Sequence, residues 1–158
     1  MGIEIERKFL VHKEKWEIAA KGTGKLLIQG YLFASTEKSV RVRIAGSKAF
    51  ITIKGSTTGA TRAEFEYEIP LADAQQMLNT LAESKIEKTR YEIEHDHKVW
   101  EVDVFYGPNN GLIVAEIELP NENEPLTLPD WVATEVTDDV RYYNSNLATN
   151  PYCNWGSK

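Results

Sequence analysis

Strand-period alternation runs through most of this chain, and the polar positions of the alternation are nearly all ionisable. Over 39–45, Val40, Val42 and Ile44 alternate with Arg41 and Arg43. Over 61–69, Ala63, Phe65, Tyr67 and Ile69 alternate with Arg62, Glu64, Glu66 and Glu68. Successive side chains on a strand point to opposite faces, so each segment predicts a strand with one apolar and one charged face. The pattern recurs at roughly 3–11, 25–34, 49–54, 86–94, 99–106 and 112–119. Turn formers separate the runs, including Gly46-Ser47, Gly55-Ser56, His95-Asp96-His97 and Gly107 to Gly111. Only 71–84, with Leu71, Ala74, Met77, Leu78 and Leu81 on one face, reads as a sizeable amphipathic helix. Shorter helices are expected at 13–20, around Trp16, and near 142–149.

Eight short strands on hairpin-length connections predict a mainly antiparallel α+β protein. Two architectures fit. One is an open sheet with a wet face. The other is a closed eight-stranded barrel with the charged face inside and the apolar face outside, covered by a few flanking helices and, where these run out, by a second copy in a homodimer. A charged lumen needs a guest, because enclosed carboxylates repel one another, as do enclosed guanidiniums. A polyanion accompanied by divalent cations satisfies both sets, with arginines meeting phosphate oxygens and carboxylates holding metal.

Composition agrees with a single soluble domain spanning 1–158. The chain is 42% hydrophobic and 27% charged, with no run long enough for a membrane span. The net charge of −6, from 18 basic and 24 acidic residues, argues against a general nucleic-acid binder. The opening MGIEIERKF has no apolar leader, and Glu6 stands where an acylation signal wants Ser or Thr. Cys153 is the only cysteine, so no internal disulfide or cysteine-rich zinc site is available and a cytoplasmic location is expected. His95 and His97 read as turn residues, and Gly22-Thr23-Gly24-Lys25 lacks the spacing of a phosphate loop.

The run Glu4-Ile5-Glu6-Arg7-Lys8 resembles the ExExK signature of the CYTH superfamily, the triphosphate tunnel metalloenzymes. Further segments match in order: Gln29-Gly30-Tyr31, Val40 to Arg43, Ile53-Lys54-Gly55, Arg62 to Glu66, Glu87 to Tyr91, Trp100 to Phe105, Ala115 to Leu119 and Glu135 to Tyr142. The resemblance covers nearly the whole chain and is closest to the short bacterial tripolyphosphatases. It implies an eight-stranded tunnel, a small-molecule triphosphate substrate and Mg²⁺ or Mn²⁺, as two ions.

On that basis Glu4, Glu6, Glu64, Asp103, Glu116 and Glu118 are the expected metal ligands. Lys8, Arg41, Arg43, Lys54, Arg62, Lys88, Arg90 and Arg141 are expected to hold the phosphate chain. Glu66 and Glu101 are alternatively partners that orient the arginines. Some hydrolytic members use a Tyr–Lys pair, which by motif position is Tyr31 and Lys54 here. Lys54, set among cations that lower a lysine pKa, would accept a proton from the attacking water, which predicts an alkaline optimum. Three rivals stand beside a tripolyphosphatase: an adenylyl cyclase, a thiamine triphosphatase using Phe33 or Trp100 for stacking (although parity sets Trp100 on the apolar face), and a polyphosphate-binding module without turnover.

Overall fold

The computed structural model describes residues 2–156. In chain order the elements are β1 (Ile3–Val11), α1 (Lys13–Ile18), β2 (Lys25–Ala34), β3 (Lys38–Ala45), β4 (Lys48–Gly55), β5 (Thr61–Ile69), α2 (Leu71–Thr80), β6 (Ser84–His95), β7 (Lys98–Phe105), β8 (Ile113–Glu118), β9 (Val132–Glu135) and α3 (Asn144–Thr149). The strands form one antiparallel sheet in the order β5-β4-β3-β2-β6-β7-β8-β1-β9, and a further β5–β1 pairing closes the first eight into a barrel. The open-sheet alternative is thereby excluded.

The closing seam is short. β1 offers one edge to two partners: Ile3, Glu4 and Ile5 pair with β5, while Phe9 and Val11 pair with β9. The ninth strand was not expected from the sequence, since four residues are too few to show a period. Hairpin geometry fixes the register elsewhere. Asp96 and His97, both at positive φ, make the two-residue turn between β6 and β7.

The apolar face points outward, as the closed-barrel alternative expects, and it is covered in patches. Phe9, Trp16, Trp100 and Trp131 pack with Val102 and Ile117 where α1 and the segment before β9 lie across β1, β7 and β8. Trp100, fully buried, sits edge-on to Trp131 at 5.9 Å. Ala74 and Leu78 of α2 cover Val42 and Ala49. The outer side chains Ile3, Ile53, Phe65 and Tyr67 remain exposed. Among the described residues no helix is long and apolar enough to cross a membrane.

Gly30 lets α2 approach the barrel. A Cβ there would stand 2.7 Å from Leu78 Cδ2 and 2.9 Å from the Ala82 methyl. Gly30→Ala is therefore expected to push the helix off β2 and cost about 1–3 kcal/mol, read as a lower urea midpoint. An unchanged midpoint would show that the helix yields freely.

One barrel end is apolar inside. Ile86, Phe105 and Val114 meet Val136, Tyr142 and Leu147, so the C-terminal segment plugs that end. The charged part of the lumen lies beyond this plug.

Candidate functional site

Register places polar and ionisable side chains in cross-strand pairs on the inner wall: Glu4 with Arg62, Glu6 with Glu118, Lys8 with Glu116, Arg90 with Asp103, Ser39 with Lys54 and Lys54 with Glu64. Most of them line a cavity of about 200 Å³. From the expected set, Glu4, Glu6, Glu64, Glu116 and Glu118 line it, facing Tyr31, Arg41, Arg43, Lys54, Arg62 and Arg90. Ser39, Tyr143, Asn144 and Ser145 also line it and were not singled out in the sequence. Glu66 and Glu101 complete the wall, each on an arginine: Glu66 is 3.5 Å from Arg41 and Glu101 is 3.1 Å from Arg90.

Four expected site residues lie elsewhere. Lys8 borders a small adjoining hollow, 3.3 Å from Glu116. Lys88 and Asp103 lie beneath the cavity, each fully buried, 2.7 Å apart. Arg141 is outside: its side chain is 54% exposed, paired with Asp139 at 2.7 Å and packed over the Trp155 ring. Phe33 and Trp100, the aromatics considered for stacking, are not in the lumen. A bulge between Tyr31 and Phe33 sets Phe33 opposite Val40 on the outer face, and Trp100 belongs to the outer tryptophan cluster.

The bases are not evenly matched. Arg90 is well held: Asp103 accepts from its Nε at 2.8 Å and its Nη2 at 2.9 Å, and Glu116 accepts at 3.1 Å. Arg43 donates through Nε to Gln29 Oε1 at 2.8 Å and, among the described residues, makes no ion pair. Burial, with Arg41 and Arg90 alongside, pushes its guanidinium down to about 9, still charged at neutral pH. Among the described residues the buried Nε of Arg41 has no acceptor. Lys54 lies 3.2 Å from Glu4 and 3.3 Å from Glu64. Burial and the Arg41 charge push its ammonium down against the pull of Glu4. Tyr31 lines the same cavity, but no hydrogen bond joins it to Lys54 among the described residues.

The acids show the complementary imbalance. Burial would raise the Glu4 carboxyl, but Lys54 and Arg62 outweigh it and hold it at about 2. Glu6 is pushed well up by burial and by the neighbouring Glu116 carboxylate. Glu118, opposite Glu6, is raised by burial and by Glu4 and Glu64. A carboxyl raised by a neighbouring carboxylate marks a place that a cation can take, and an all-oxygen donor set suits Mg²⁺ or Mn²⁺. Among the described residues no three acids already converge as a cage. The physical reason is visible in the pairs: Glu4 is drawn to Lys54 and Arg62, and Glu116 to Lys8 and Arg90.

The family model for the CYTH domain matches residues 2–149. An inorganic triphosphatase of Acetivibrio thermocellus is 50% identical over 156 residues, covering 98% of this chain and 99% of the relative. An inorganic triphosphatase of Nitrosomonas europaea is 36% identical, covering 92% and 96%. Among solved structures, the inorganic triphosphatase NE1496 superposes with a TM-score of 0.65 at 32% identity, over 92% of this chain and 93% of that one. A putative adenylate cyclase from Bacillus halodurans, at 19% identity and a TM-score of 0.62 over 77% of this chain and 84% of that one, shares the fold. With the family model spanning nearly the whole chain and two relatives above 30% identity along almost their full length, the chain belongs to the CYTH domain family.

Proposed function

We propose that this protein is a metal-dependent inorganic triphosphatase that converts tripolyphosphate to pyrophosphate and phosphate. One observation carries the reading beyond the relatives' names. Three guanidiniums, the buried Arg41 and the half-buried Arg43 and Arg90, face one small cavity, and among the described residues Arg43 has only a neutral amide for a partner. A guanidinium drawn partly out of water without an anionic partner is costly, and a phosphate chain supplies the missing acceptors.

Hydrolysis of a phosphoanhydride needs positioning and charge neutralisation more than covalent help from the protein. Arg41, Arg43, Arg62 and Arg90 bind the phosphate oxygens. Glu4, Glu6, Glu64, Glu116 and Glu118 are the side chains that would hold Mg²⁺ or Mn²⁺, with Asp103 behind Arg90. When bound, such an ion neutralises phosphate charge and acidifies water. Water attacks the terminal phosphorus, the bridging P–O bond breaks, pyrophosphate leaves, and Lys54 takes the proton with Tyr31 beside it.

The test is phosphate release from tripolyphosphate, thiamine triphosphate, ATP and long-chain polyphosphate, with Mg²⁺ or Mn²⁺ and with EDTA. Tripolyphosphate is expected to be the best substrate, with EDTA abolishing turnover. Cyclic AMP from ATP, or tight polyphosphate binding without any release, would overturn the assignment.

A further inference from the structure

The fully buried Lys88 has no place in the cavity wall, yet it touches two parts of the molecule that the wall depends on. Its Nζ donates to Asp103 Oδ2 at 2.7 Å and to Asn144 Oδ1 at 3.0 Å. Asp103 is the residue that grips Arg90 through two guanidinium nitrogens. Asn144 is the first residue of α3, and with its neighbours Tyr143 and Ser145 it forms the plug side of the cavity. The plug has other anchors farther from the site: Leu147 is fully buried, and Asn109 bonds Leu147 O and Tyr152 N. Among the described residues only the Lys88 contact joins plug and arginine clamp in one hydrogen-bonded chain, Asn144–Lys88–Asp103–Arg90.

We infer that Lys88 is a positioning residue, an ammonium latch that holds the C-terminal plug against the barrel floor and fixes Asp103 so that Arg90 points into the cavity. The family motif alone would have set it on the phosphates. Three donors on one flexible stem suit two acceptors that belong to different elements. An apolar residue of the same length would fill the space but leave Asn144 Oδ1 unpaired and Asp103 with one cation instead of two. The latch also sets Tyr143, whose ring lies under the Lys8 and Arg62 charges at 5.5 and 5.9 Å.

The inference rests on the triphosphatase reading for its kinetic arm only. Lys88→Met, Asn144→Leu and the double variant are compared for amide hydrogen exchange at Leu147 and Asn150, and for kcat and KM with tripolyphosphate. Each single variant is expected to speed exchange at both amides by about tenfold and to raise KM more than it lowers kcat. The double variant is expected to be no worse than Lys88→Met, because both substitutions break one unit. Asn144→Asp, which still offers an oxygen to the ammonium, is expected to keep the protection. Unchanged exchange in Lys88→Met, or losses that multiply in the double variant, would overturn the latch and return Lys88 to direct phosphate contact. Should Lys88→Met not fold, Asn144→Leu against Asn144→Asp carries the same comparison. Exchange is read without substrate, so a wild-type protein inactive on triphosphates would refute the proposed function and leave the latch to be decided separately.

Discussion

Lys54→Ala is expected to lower the turnover of tripolyphosphate by about 10²- to 10⁴-fold, the range for removal of a positioned general base. The fold is expected to survive, since Glu4 retains Arg62 at 3.1 Å and Glu64 is partly exposed. A plain loss of positive charge would weaken binding as well, so the informative companion is Lys54→Arg. It restores charge beside the phosphates but does not give up its proton near neutrality. If Lys54 accepts the proton, Lys54→Arg recovers KM and leaves kcat low. If Lys54 only neutralises charge, Lys54→Arg recovers both. The pH dependence follows from the direction of the shift. Burial and Arg41 push the ammonium down, and the base must be neutral to act, so kcat of the wild type is expected to rise with pH toward the alkaline side. Lys54→Ala is expected to lose that limb. Equal turnover in wild type and Lys54→Ala would remove the residue from the chemistry.

The alternation of charges reveals which face each residue occupies, and here it was a good guide because the barrel interior is the charged face. Arg41 and Arg43, or Glu64 and Glu66, could be assigned to one side from spacing alone, and the registers place them there. Parity carries no information about depth along the strand. Lys88 and Arg90 share a face in the sequence, yet one is sealed beneath the floor and the other lines the cavity. The same holds for Asp103 and Glu101. Nor does parity survive a bulge: Phe33 is in phase with Gln29 and Tyr31 by counting, and the irregularity after Tyr31 turns it outward. The plug was legible only as a short helix near the C-terminus. What brings Tyr143, Asn144 and Ser145 to the site is the burial of Tyr142 and Leu147 against Ile86 and Val114, a long-range contact with no local signature. Arg141 shows the converse case. It stands in a motif-like run beside those residues, but Asp139 captures its guanidinium on the surface.

Depth also decides which substitution harms the fold most. Asp103→Ala is expected to cost about 3–5 kcal/mol, because it strands buried charge that Asp103 alone balances on one side. The carboxylate is fully buried and accepts three hydrogen bonds, from Lys88 at 2.7 Å and from Arg90 at 2.8 and 2.9 Å. Arg90 would fall back on Glu101 and Glu116, whereas among the described residues Lys88 would keep only the neutral Asn144 as a hydrogen-bond partner. Burial, together with Arg90 and Arg43, already pushes the Lys88 ammonium down to about 7 against the pull of Asp103, so it has little margin once that carboxylate is gone. Lys88→Met made alone is expected to cost less than about 1.5 kcal/mol, since it removes a buried cation and leaves Asp103 gripped by Arg90. Made in the Asp103→Ala background, Lys88→Met is expected to restore part of the lost stability, because the charge it removes is the stranded one. Urea unfolding of the two single variants and the double variant measures this coupling. Simple addition of the two costs would mean that the buried lysine and aspartate stabilise the barrel independently, and that the charge network beneath the cavity is not a network.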